Sequence, residues 1–119
     1  MKSHIALIFF ALVSLALARD AREQQRIDFL IKDVASSKGI VFIRNGSEHD
    51  GPAAAEHLRM KLNYLGDRVK TAEEFIKYCA SESSLTHQAY KVRLPGGKTI
   101  TAAQYFAERL KEFDEKRKH

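Results

Sequence analysis

Residues 40–66 read IVFIRNGSEHDGPAAAEHLRMKLNYLG, and this stretch decides the fold. Ile40-Val41-Phe42-Ile43 is β-branched and aromatic with no polar break, the composition of a short strand buried on both faces. Asn45-Gly46 then turns the chain, since both residues tolerate positive φ. Gly51-Pro52 opens a helix, with proline at the first helical position where its missing N–H costs nothing. Ala54, Leu58, Leu62 and Leu65 form its apolar stripe, and Gly66 closes it. A strand running directly into an amphipathic helix predicts a mixed class rather than a helical bundle.

The flanking residues extend the pattern. Upstream, Asp20 is a candidate N-cap, and Ile27, Leu30, Ile31, Val34 and Ala35 recur at i, i+3, i+4, i+7, i+8. Lys38 and Gly39 are expected to end that helix. Downstream, Thr71-Ala72-Glu73-Glu74 is a capping box that starts a helix with Phe75, Ile76, Cys79 and Ala80 inward. Residues 81–84 read as a loop. Tyr90, Val92 and Leu94 alternate with Lys91 and Arg93, a strand with one wet face. Pro95-Gly96-Gly97 turns it toward a short partner at 98–100. Thr101 and Gln104 cap a last helix whose core face is Phe106, Leu110 and Phe113. The expected fold class is α+β: a small antiparallel two- or three-stranded sheet packed with about four helices.

The first eighteen residues stand apart. Lys2 precedes an apolar run over residues 5–18, IALIFFALVSLALA, which ends on Ala16 and Ala18. This is the pattern of a cleavable secretory signal peptide, too short for an ordinary membrane span of about 20 residues. The expected organisation is a signal peptide at 1–18 and one α+β domain at 19–119, with no stable membrane anchor after cleavage. Removal of Lys2 leaves 19 basic against 15 acidic side chains, a net +4. Export argues against nucleic acid as partner for that charge. Spread positive charge still concentrates anions, so an anionic envelope component or protein partner is the expected one. The single Cys79 permits no internal disulfide and, in an apolar pattern, reads as a buried thiol.

The densest polar stretch is 44–61, RNGSEHDGPAAAEHLRMK. Arg44 and Asn45 leave a strand end, and His49 and Asp50 sit in the following loop. His57, Lys61 and Tyr64 share a helix face beside the apolar stripe. Asp50 suits a cap, and Asn45-Gly46 suits a turn. His49 and His57 are eight residues apart without a metal-ligand spacing, so no metal is expected. Pro95-Gly96-Gly97-Lys98 lacks P-loop spacing, and no cofactor is expected. No nucleophile elbow or SxxK pattern appears.

The ordered set Phe42-Ile43-Arg44-Asn45-Gly46, His49, Ala54, His57-Leu58-Arg59, Lys61-Leu62, Thr71-Ala72-Glu73, Phe75-Ile76, Ala80-Ser81, Ser83-Ser84 and Tyr90 resembles the YfeK-like family of small exported bacterial proteins. The resemblance runs from residue 27 to about 96. It departs at Thr86-His87-Gln88-Ala89, which sets His87 apart from the shared groups. It implies a bacterial, Gram-negative source and a periplasmic location, and it implies no activity. It adds weight to Arg44, Asn45, His49, His57, Lys61, Ser83 and Ser84 as a candidate binding surface, since core packing does not ask for such residues.

The leading expectation is a non-enzymatic binding or accessory domain. In it Arg44 and Lys61 hold an anion, and His57 adds a donor that strengthens below about pH 6.5. One alternative is a small hydrolase or transferase with His57 as base and Ser83 or Ser84 as nucleophile. Another is an inhibitor or immunity-like protein acting through a protruding loop at 47–51.

Overall fold

The computed structural model describes residues 19–118, so the segment read as a signal peptide lies outside the described residues. Helix α1 spans Ala21–Ala35, strand β1 Val41–Arg44, β2 Ser47–His49 and helix α2 Gly51–Leu65. A 3-10 turn, Gly66–Arg68, leads to α3 at Ala72–Phe75, which widens into a π-helical turn over Ile76–Ala80. Strands β3 (Lys91–Arg93) and β4 (Thr99–Thr101) precede α4 at Ala102–Arg117.

The class is α+β, as expected, but the sheet has four strands rather than two or three, in the antiparallel order β2-β1-β3-β4. The added strand is β2. Its sequence, Ser-Glu-His, carries no β-former, and it exists because Asn45 (φ 51°) and Gly46 (φ 80°) form a two-residue hairpin turn. The register pairs Phe42 with His49 on one side and Val92 on the other. All three therefore share a face with Ile100, the partner of Val92. The helices pack on that face, where the Tyr105 ring of α4 meets Phe42 edge-on at 5.9 Å.

The outward face carries Val41, Ile43, Glu48, Lys91, Arg93, Thr99 and Thr101, none of them buried. Arg93 pairs with Glu48 across it at 2.9 Å. So β1 is buried on one face only, not on both.

Helix α1 stops at Ala35, three residues before the expected Lys38-Gly39 end. Ser36 and Ser37 end it by turning their hydroxyls back to the carbonyls of Lys32 and Val34, both at 2.8 Å. The other caps follow the sequence: Asp20, Asp50, Thr71 and Thr101 each accept from the backbone of their own helix. In α2 the buried stripe is Gly51, Ala55, Leu58 and Leu62, with Ala54 and Leu65 half-buried beside it.

Ile27, Leu30 and Val34 from α1, Phe75 and Cys79 from the third helix and Val92 from the sheet are fully buried. Burial pushes the Cys79 thiol above its ordinary value, in keeping with an inert core cysteine. Arg19 ties the start of the described chain to the turn after α2, donating to the carbonyls of Val69 (2.8 Å) and Gly66 (3.0 Å).

Candidate functional site

Two periodicities bring the polar residues of 44–61 together. Arg44 is two residues beyond Phe42, so it leaves β1 on the helix side of the sheet. His57 and Lys61 are one turn apart on α2. Arg44 Nη1 donates to His57 Nδ1. A guanidinium cannot accept, so Nδ1 carries the lone pair and Nε2 carries the proton. That Nε2–H points at the Tyr90 hydroxyl, 3.3 Å away. Lys61 Nζ donates to the same hydroxyl at 3.3 Å and to the Glu82 carbonyl at 3.2 Å. Tyr90 sits just before β3 and is the member of this group that sequence reasoning did not include among the site residues. Its place in the family pattern was visible, but the reach of its hydroxyl depends on how β3 packs against α2.

The electrostatics are one-sided. Among the described residues neither Arg44 nor Lys61 has a carboxylate within ion-pair distance. Glu82, whose charge is felt at Lys61, turns its carboxylate to His87 at 3.3 Å. Burial, then the charges of Arg44 and Lys61, lower the His57 pKa to about 4. Burial lowers the Lys61 ammonium from its ordinary value, with Arg44 acting the same way. Burial raises the Tyr90 phenol.

His57 is therefore neutral at pH 6.5 in the free protein, and the expected strengthening of its donor below that pH does not occur there. An NMR titration of the imidazole is expected to give a midpoint at about 4. A midpoint near the ordinary 6.5 would mean that the Arg44 contact is absent in solution. The unfolded chain takes up this proton first as pH falls, so His57 costs stability increasingly from about pH 6.5 down to about 4.

His49 faces inward from β2, and its Nε2 is buried without a partner among the described residues. It lines a small pocket of about 50 Å³ with Arg44, His57 and Tyr90, walled by Phe42 and Leu58. On the other side of His57 a larger groove of about 680 Å³ runs along α2, past Lys61 and Tyr64. His57 is thus the partition between pocket and groove.

The remaining candidates separate by role. Ser83 is buried, and its hydroxyl accepts from the backbone N–H of Leu85 and Thr86, both at 3.3 Å. It also accepts from Asn45 Nδ2 at 3.4 Å, and Asn45 Oδ1 accepts from Thr86 Oγ1 at 2.8 Å. Asn45 and Ser83 thus tie the 81–90 loop to the β1–β2 turn and are structural. Ser84 is exposed and lines the groove. Neither serine is hydrogen-bonded to His57, whose two nitrogens face Arg44 and Tyr90. Residues 47–49 are strand β2 and Asp50 caps α2, so the 47–51 segment is not a protruding loop. Among the described residues no three His, Cys, Asp or Glu side chains stand together as a metal-binding group.

Residues 21–114, which contain every member of this site, match the family of unknown function DUF5329. The chain belongs to this family. The chain is also similar to the uncharacterized protein YfeK of Salmonella typhimurium, 41% identical over 71 residues, which make up 60% of this chain and 59% of the relative's own length. The chain thus spans about three fifths of that bacterial relative, and the likeness bears out the YfeK-like resemblance of the sequence. No solved structure matches. Membership in DUF5329 brings no activity, so function has to be argued from the Arg44–His57–Tyr90–Lys61 group itself.

Proposed function

We propose that this DUF5329 member is an exported, periplasmic binding or accessory domain of the bacterial envelope, one that seats an anionic group at Arg44, His57 and Lys61. The observation that carries the reading is the half-buried pair of cations, Arg44 and Lys61, with no carboxylate within ion-pair distance among the described residues. Partly desolvated positive charges without a counterion are costly, and an arriving anion recovers that cost. Arg44 keeps donors beyond the one given to His57, and Lys61 keeps one of its three. The groove lined by His57 and Lys61 has ample room for a carboxylate-sized group, and Arg44 adds its charge from behind His57. The apolar run of residues 5–18 supports export, and the likeness to a protein of Salmonella typhimurium supports a bacterial source. No catalytic step is assigned.

The test is binding of envelope fragments to the wild type and to Lys61→Ala. The substitution is expected to weaken binding by about tenfold or more, the worth of a charge-assisted hydrogen bond. Equal binding would remove this site from consideration. An anion at the site stabilises the imidazolium, so the His57 midpoint is also expected to climb from about 4 when the ligand is present.

A further inference from the structure

Among the described residues the exposed large hydrophobic side chains are Met60, Tyr64, Tyr78 and Leu85. Three of them, Met60, Tyr64 and Tyr78, line the 680 Å³ groove, and Leu85 follows Ser84, which lines it too. Tyr64 is 81% exposed and Met60 64%. Scattered exposed apolar residues are ordinary, but their concentration along one groove marks a docking surface. The groove falls within the few hundred to 1,000 Å³ common for ligand sites.

Its charge is polarised. One end holds Lys61, with Arg44 behind His57. At the other end Glu74, the carboxylate of the groove, accepts from the Lys70 N–H at 2.7 Å. Arg68 lies at that end as well, with its guanidinium turned to the carbonyls of Leu65 and Tyr64, both at 3.0 Å. From His57 to Leu65 the helix rises about 12 Å at 1.5 Å per residue, the span of about four extended residues.

We infer that the groove receives the C-terminal end of an extended polypeptide. Its free carboxylate lies at Lys61, and its apolar side chains lie against Met60, Tyr64 and Tyr78. This deepens the anion-binding reading and rests on it. A peptide is favoured over an acidic sugar because most of the wall between the two ends is apolar, with Met60, Leu65 and Val69 beside the two tyrosine rings.

The test expresses the full chain in a Gram-negative host and uses the protein as the host leaves it. Four probes are titrated by NMR: the acetylated tetrapeptide Leu-Ala-Tyr-Leu as free acid, the same peptide as C-terminal amide, acetate, and an oligouronate. The free acid is expected to bind, with the amide about tenfold or more weaker. Tyr64→Ala and Tyr78→Ala are each expected to weaken the acid severalfold and to leave acetate unaffected; Tyr64 is so exposed that its loss does not threaten folding. Equal binding of acid and amide, tighter binding of the oligouronate, or no effect of the tyrosine variants overturns the inference. So does concentration-dependent self-association abolished by Tyr64→Ala, because the occupant is then a second copy. If acetate still binds in a Lys61-dependent way in any of these outcomes, the anion reading survives alone. If no anion binds, both fall.

Discussion

Gly51→Ala is expected to lower the melting temperature by roughly 10–20 °C, at the cost of about 2–3 kcal/mol. Gly51 is buried at the start of α2, where that helix touches the end of α1. A Cβ there would stand 2.3 Å from the Val34 carbonyl oxygen and 2.7 Å from Ser37 Oγ. Neither atom is free to move aside, because that carbonyl accepts from Ser37 twice, from the backbone N–H at 3.1 Å and from the hydroxyl at 2.8 Å. Helix propensity pulls the other way, since alanine is favoured over glycine by about 1 kcal/mol in a helix interior. At the first helical position that gain is smaller, and the steric loss wins. Relief requires α2 to lift from α1, which opens the contact between Ile27, Leu30 and Val34 and the stripe of Ala55, Leu58 and Leu62. His57 and Lys61 ride on the same helix, so anion binding is expected to weaken along with stability. Thermal unfolding by circular dichroism checks this, with Gly46→Ala as the comparison: it has open space but a φ of 80°, and strain of about 1–2 kcal/mol. A Gly51→Ala melting point within about 2 °C of wild type would mean that the helices do not approach as described.

No sequence rule announces that glycine. In the chain it reads as a neighbour of the helix-opening Pro52, and only the docking of two helices shows why no side chain fits. The same divide runs through the rest of the fold. The helices were legible because their apolar residues repeat at helical spacing and their caps are Asp or Thr. Strand β2 was not, because Ser47-Glu48-His49 has no strand-forming residue. The sign of it lay instead in Asn45-Gly46, a hairpin turn that forces the next residues to pair.

At the site, Arg44, His57 and Lys61 could be placed together from one strand end and one helix face. Tyr90 could not, since its hydroxyl meets them only through the packing of β3. Asn45 and Ser83 are polar groups that core packing does not ask for, and their hydrogen bonds join two turns to each other. The protonation of His57 was also out of reach, because it depends on burial and on the cations around it.

Arg26→Ala is expected to destabilise the protein by about 2–4 kcal/mol at pH 7, and by less at pH 3. Arg26 is 8% exposed and holds three carboxylates from three helices. It donates twice to Asp114 on α4 at 3.1 and 2.9 Å, twice to Glu73 on α3 at 2.9 and 2.7 Å, and once to Glu23 on its own helix at 2.8 Å. Glu23 in turn accepts from the Ala72 N–H at 2.9 Å, so the guanidinium also steadies the start of α3. The upper end of the usual cost for breaking a buried pair is not reached, because the Glu73 side chain is 64% exposed and water can take over part of its solvation. Removing the guanidinium leaves three acids facing one another. Arg26→Lys is expected to recover only part of the loss, since an ammonium cannot form two bidentate pairs.

The pH dependence separates this account from lost packing. In the wild type the hydrogen bonds from Arg26 hold the Glu73 carboxyl below its ordinary value. The folded protein then binds fewer protons than the unfolded chain, so this stabilisation is complete above the unfolded pKa of about 4.3 and is lost as pH falls through the folded value. Arg26→Ala lacks the guanidinium that holds the Glu73 carboxyl down, so the variant does not share this loss over the acid range, and the gap to the wild type narrows there. Urea unfolding at pH 7 and pH 3 reads the difference directly. A gap of equal size at both pH values would assign the loss to the missing side-chain volume and take the ion-pair hub out of the account.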